Sequence, residues 1–192
     1  VEPTQAPQHS EEDLLSKIVI GDAHLGMYAW ADECGKSFDL EIAERTLTTA
    51  IDQLVETSLP AKYGLGISLG DWFHVDSTAN TTTAGTRQDV DTRWSKMIRV
   101  GMRCGRYLID RMLQKHEIVD GWFLSGNHDT GSRAMMAVAL SMLYENEPRV
   151  RINVSPSLFA WFAVGVTGQL SAAFRSPSPS RPRSSRGVAG RP

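Results

Sequence analysis

Short apolar runs that each close on a glycine and an acidic or amide residue alternate along this chain with longer stretches of three-four periodicity. The first run, Ile18-Val19-Ile20, stops at Gly21-Asp22 and predicts a buried strand whose carboxyl end presents Asp22 and His24. The second, Leu65 to Leu69, stops at Gly70-Asp71, with His74 just beyond. A third, Val119 to Leu124, is interrupted by Asp120-Gly121 and delivers Gly126-Asn127-His128-Asp129; a fourth runs from Val150 to Val154. Between them, Asp39 can cap a helix whose apolar face is Leu40, Ala43, Leu47, Ala50, Ile51, Leu54 and Val55, ended by Pro60. A long helix is predicted from Asp91 to Lys115, with Trp94, Ile98, Met102, Leu108, Ile109 and Met112 as its buried stripe, and a third from Ser132 to Tyr144. Such alternation predicts an α/β fold with a largely parallel sheet covered by helices. Residues 76–90 lack apolar periodicity and read as a loop inserted near the strand ends.

Composition narrows this picture modestly. The 192 residues, 41% hydrophobic and 22% charged, suit one globular domain. No apolar run approaches the roughly 20 residues that a membrane-spanning helix needs. Val1 to Asp13 is polar, without the basic and then apolar regions of a secretory signal, so the expected location is cytoplasmic. Cys34 and Cys104 form no disulfide framework or metal-binding pair and read as reduced, structural residues.

The distribution of charge changes the picture more than its sum of -2 does. All 22 acidic residues lie at or before Glu147, whereas seven arginines follow it. Residues 1–16 read as a flexible or weakly helical leader, 17–162 as the folded domain, and 163–192, rich in Arg, Ser and Pro, as a disordered tail with too little apolar surface to fold.

The chemistry sits at the strand ends, the usual place in open α/β sheets. Two hard divalent ions roughly 3.5–4 Å apart can clamp a phosphate and acidify a bound water, and they need carboxylate, amide and imidazole ligands, one carboxylate bridging both. Asp22 and His24, two residues apart in one loop, can turn toward one ion, and Asp71 is placed to bridge. Asn127 offers a neutral amide oxygen, while His128 beside it is placed to touch substrate. Among the other histidines, His116 ends a helix, where it complements the helix dipole. Trp72 reads as a core residue.

The order DxH, GDxxH, GNHD, each closing a predicted strand, resembles the calcineurin-like metallophosphoesterases. More narrowly, His24 to Trp30, Asp89 to Arg93 and Asn146 to Val150 look like uncharacterised phosphoesterases of bacteriophages and prophages. The resemblance covers about residues 17–162. It implies an α/β/β/α sandwich, of which this chain holds mainly the first sheet with its covering helices, leaving the opposite sheet face open. It implies Asp22, His24 and Asp71 as ligands of one ion, Asp71 and Asn127 as ligands of a second, His128 as the catalytic residue that protonates the leaving oxygen or steadies the transition-state charge, and Asp129 as the residue that orients it. His74 and Arg93 are expected beside the ligands or facing substrate. The ions implied are two divalent metals, manganese first, with iron, zinc or nickel as alternatives. The substrate implied is a phosphate mono- or diester, DNA or RNA among the candidates, and no membrane partner is expected.

The family also carries later histidine motifs, but His128 is the last histidine here. The expected product is therefore a phosphoesterase with a partial metal site. The alternative is a catalytically impaired remnant, or a nucleic-acid binder acting through its basic tail. The tail itself reads as translation in a wrong frame, its Arg, Ser, Pro, Gly and Ala being what GC-rich DNA tends to encode out of frame.

Overall fold

The computed structural model describes residues 1–157 in full, together with the backbone of 159–163 and 170–175. Four strands, β1 (Glu11–Ile20), β2 (Ala61–Ser68), β3 (Ile118–Phe123) and β4 (Val150–Asn153), form one sheet in the order β1-β2-β3-β4. Every pairing in it is parallel. Parallel neighbours need a crossover, and here the crossovers carry α2 (Leu40–Thr57), α3 (Trp94–Leu113) and α4 (Thr130–Leu143), after a four-residue α1 (Ala31–Cys34). The expected α/β class with a parallel sheet and covering helices is the one observed. Phe159–Ala163 (β5) and Leu170–Arg175 (β6) pair antiparallel as a separate two-stranded sheet. The second of these strands lies within the stretch expected to be disordered; the remainder of that tail falls outside the described residues.

Sheet alternation divides the core. Ile18, Val119 and Phe123 pack with α2, α3 and α4 in the main cluster. Gly64 and Gly66 let α3 settle directly on β2. A Cβ at Gly64 would lie 2.5 Å from the His116 ring, and one at Gly66 would lie 3.1 Å from Met112 Sδ. The intervening Leu65 and Ile67 point to the other face, where they form a second cluster with Leu124, Leu15 and Trp122. Their exposures of 2% and 0% show that this face is not left open at its centre, contrary to expectation. Val19, paired in register with Ile67, remains exposed.

Two features differ from the sequence reading for identifiable reasons. The leader is not flexible throughout: β1 begins at Glu11, whose N–H donates to Pro60 O. Upstream, Thr4 N–H donates to the buried carboxylate of Glu147 at 2.6 Å, and Arg149 donates to Thr4 O and Gln5 O. Arg149 also ties the end of α3 to β4 through Leu113 O, His116 O and Glu117 O. The buried stripe of α3 is rotated from the predicted one. Met97, Val100, Gly101, Cys104 and Gly105 face inward, because Gly101 admits the Phe73 ring where a Cβ would lie 2.0 Å away. Leu108, Ile109 and Met112 are buried as expected, whereas Trp94, Ile98 and Met102 are only partly covered.

His116 corrects a further expectation. It is fully buried, with Nδ1 3.0 Å from Ala61 O, and burial holds its pKa below the usual value. It therefore acts as a neutral packing residue and not as a charge at a helix end. Trp72 is a core residue as expected, its Nε1 donating to Gly101 O. The two cysteines are free: Cys34 is exposed, and Cys104 is buried with its thiol pushed up to about 12.

Candidate metal centre

A parallel sheet places all its carboxyl ends along one edge, so the loops after β1, β2 and β3 open side by side. Pairing between the first two continues past the strands. His24 N–H donates to Asp71 O at 2.8 Å, Leu25 N–H to Trp72 O at 3.0 Å, and His74 N–H to Leu25 O at 3.0 Å. This ladder sets His24 beside Asp71 and His74. Among the described residues, four that are not glycine have positive φ, and three of them are Asp22 (46°), His24 (42°) and Asp71 (50°). The left-handed region is tolerated best by Asn, Asp and His, and such backbone concentrates at functional sites.

The third loop is pinned to the second at close range. His128 N–H donates to Asp71 Oδ1 at 2.8 Å, and a Cβ added at Gly126 would lie 1.9 Å from that same oxygen. Asp129, fully buried, accepts from Gly126 N–H at 3.0 Å and Phe73 N–H at 3.1 Å. Its carboxylate thus binds the two loops together, while the contact that orients His128 is Nδ1 to His74 O at 2.8 Å. The family resemblance implied that job for Asp129, whose carboxylate turns instead to Gly126 and Phe73.

Three imidazoles meet at this mouth. The ring centres of His24 and His74 lie 5.3 Å apart, of His24 and His128 4.8 Å, and of His74 and His128 5.2 Å. Burial lowers the pKa of His24, assisted by the charge of His128 against the opposing pull of Asp71 and Asp22. Burial and its two neighbouring imidazoles take His74 down to about 4. Both are therefore neutral near pH 7, the form that ligates cations. Burial pushes Asp129 up to about 6.

The donor set suits a divalent cation in two overlapping ways. Ligand atoms of Asp22, His24 and Asp71 lie within 4.8 Å of one another, as do those of His24, His74 and His128. The first group is the set expected around one ion. In the second, His74, expected only beside the ligands or facing substrate, stands as a potential ligand itself. Asn127 is exposed on the loop after β3, next to His128. Arg93 does not join these groups. It precedes α3 and lines a neighbouring cavity of about 590 Å³ together with Asn80, Val90, Asp91 and Trp94. That cavity adjoins the His24 loop, because Met27 bridges to Val90 and Asp91 N–H reaches Gly26 O.

Sequence reasoning missed the anchor of the inserted loop. The Asp76 carboxylate accepts from Gly131 N–H at 3.0 Å and Ser132 N–H at 2.6 Å, and Thr83 Oγ1 accepts from Thr130 N–H, so residues of the 76–90 loop cap α4. Asp91 similarly reaches Leu40 N–H at the start of α2. No local pattern announces a cap donated from another loop. Burial raises the Asp76 pKa, but the bonds from Gly131, Thr83 and Ser132 outweigh it and the net shift is downward. The stabilisation is then present above the ordinary carboxylate value and is lost as pH falls through the lower folded value. Asp76→Ala is expected to cost about 1–2 kcal/mol at pH 7, a typical cap loss. Melting curves should show the gap between wild type and variant narrowing as pH falls toward 3; a gap that widens in acid contradicts this account.

Comparison with protein-family models, with curated proteins and with solved structures found no match. Among the described residues, no helix is long and apolar enough to cross a membrane. The class that fold and site define is thus an α/β chain with histidine and aspartate side chains that could hold a cation gathered at the carboxyl edge of a parallel sheet.

Proposed function

We propose that this chain carries the metal-binding part of a calcineurin-like metallophosphoesterase, hydrolysing a phosphate mono- or diester, nucleic acid among the candidates, by metal-activated water. The observation that carries this reading is the convergence of Asp22, His24 and Asp71 from two strand ends, with His128 fixed beside them from a third. Two divalent ions, manganese first, with iron, zinc or nickel as alternatives, would supply positive charge for the phosphate oxygens and acidify the attacking water. Asp22, His24 and Asp71 would hold one ion, and Asp71 and Asn127 the other.

The chain's own groups do the rest. Asp71 Oδ1 is already engaged by His128 N–H, which holds this carboxylate in place and sets the distance of the His128 ring from it. With His128 Nδ1 committed to His74 O, Nε2 is the atom that, when protonated, donates to the leaving oxygen. The 590 Å³ cavity beside the His24 loop suits the organic part of the ester, with Arg93 as a phosphate contact at its wall. The alternative of nucleic-acid binding through the arginine tail rests, apart from Arg175 at the end of β6, on residues outside the described ones.

Hydrolysis of bis-p-nitrophenyl phosphate with added manganese tests the reading. Asp71→Asn keeps the shape but removes the bridging charge, so its rate should fall at least about tenfold, since even partners outside the ligand shell cost that much. Equal rates in wild type and variant would refute the enzyme assignment.

A further inference from the structure

We infer that His24, His74 and His128 form a three-imidazole site for a single zinc-class divalent cation, distinct in donor chemistry from the carboxylate-rich set around Asp71. This goes beyond the phosphoesterase reading, because it concerns ion binding and requires no hydrolysis.

The spacing carries the inference. His24 Nδ1 and His74 Nδ1 face each other at 3.3 Å. Two imidazole nitrogens in that position have either one shared proton or one shared cation between them. A tetrahedral zinc ion with bonds of about 2.0–2.1 Å sets its ligand nitrogens roughly 3.3–3.4 Å apart, so the observed separation is that of a tetrahedral edge. The ligand atom of His128 lies within 4.8 Å of both, close enough for a small rotation to complete a triangle.

The surroundings of the three rings fit the same conclusion. The His128 Nδ1 contact with His74 O is the kind of backbone hydrogen bond that fixes the tautomer of a metal-bound histidine and leaves Nε2 with its lone pair outward. His74 is only 6% exposed, and its backbone is held by Leu25 O, so its ring is positioned before any ion arrives. Three imidazole nitrogens favour zinc, cobalt, nickel or copper over manganese, magnesium or calcium, whereas the set of Asp22, His24 and Asp71, with two carboxylates, favours harder ions. Because His24 belongs to both groups, one ion at the imidazoles competes with one at the carboxylates. The preference for zinc is thus built from a histidine of the second motif that the sequence reading left without a ligand role.

The test titrates the metal-free full chain near neutral pH with zinc by calorimetry and with cobalt(II) by visible absorption. One zinc equivalent and the intense bands of four-coordinate cobalt are expected. His74→Ala and His128→Ala should each weaken zinc binding at least about tenfold, while His9→Ala, altering an exposed histidine ahead of β1, should change it less than about threefold. Equal zinc affinity in wild type and His74→Ala would overturn the proposal, as would a loss in His9→Ala matching that in His74→Ala. Should a histidine variant fail to fold, the wild-type cobalt spectrum decides alone: only weak six-coordinate bands would overturn it. Failure of phosphodiester hydrolysis would leave these titrations unaffected, so the two readings fail separately.

Discussion

Gly126→Ala is expected to reduce phosphodiester hydrolysis by about a hundredfold or more, because displacements near 1 Å suffice for such losses. A methyl group at this position would lie 1.9 Å from Asp71 Oδ1 and 2.3 Å from Asp71 N, so neither side-chain rotation nor a minor shift accommodates it. Either the loop after β3 withdraws, carrying Asn127 and His128 away, or Asp71 moves from the position proposed for metal binding. Overpacking of this kind costs about 1–3 kcal/mol, so the protein should remain folded while its chemistry is lost. Far-ultraviolet circular dichroism alongside the hydrolysis assay separates the two effects. Wild-type turnover in a folded Gly126→Ala protein would mean that Asp71 does not act in the reaction.

Asp129→Ala has the largest expected effect on stability. The side chain is fully buried and accepts from the N–H groups of Gly126 and Phe73, which lose their acceptor once it is gone. Two buried, unpaired donors cost about 1–3 kcal/mol each, so a total loss of about 3–5 kcal/mol is expected. For a chain of this size each kcal/mol lowers the melting midpoint by about 2–4 °C, giving a fall on the order of 10 °C. Thermal denaturation measures this directly. A midpoint unchanged within a degree or two would show that the carboxylate does not join the loops.

These two residues also mark where sequence reasoning succeeded and where it stopped. The strands were legible because Ile18-Val19-Ile20, Leu65 to Leu69 and Val119 to Leu124 are apolar runs ended by turn residues, and because alternation with helices implies parallel pairing. Asp39 was legible as a cap because its partner, Ile42 N–H, lies three residues away. Contacts that span the chain were not. Asp129 bonding Phe73, Asp76 capping α4 and His74 facing His24 all join segments about 50 residues apart, and each depends on strand register that no local pattern encodes. The rotated face of α3 failed for a related reason: a glycine opposite a phenylalanine packs more closely than apolar periodicity alone would rank it.

The ladder that continues beyond β1 and β2 has a consequence for how fast an ion can be captured. His24, Leu25 and His74 are hydrogen-bonded through their main chain as strand residues are, so a cation entering the mouth meets backbone that the sheet has already ordered. Only side-chain rotations and the shedding of hydration water remain before coordination. Capture of the proposed ion at such a mouth would be limited by the ion's own water exchange, a property of the solvent and the metal, and not by the slower closing of a loop.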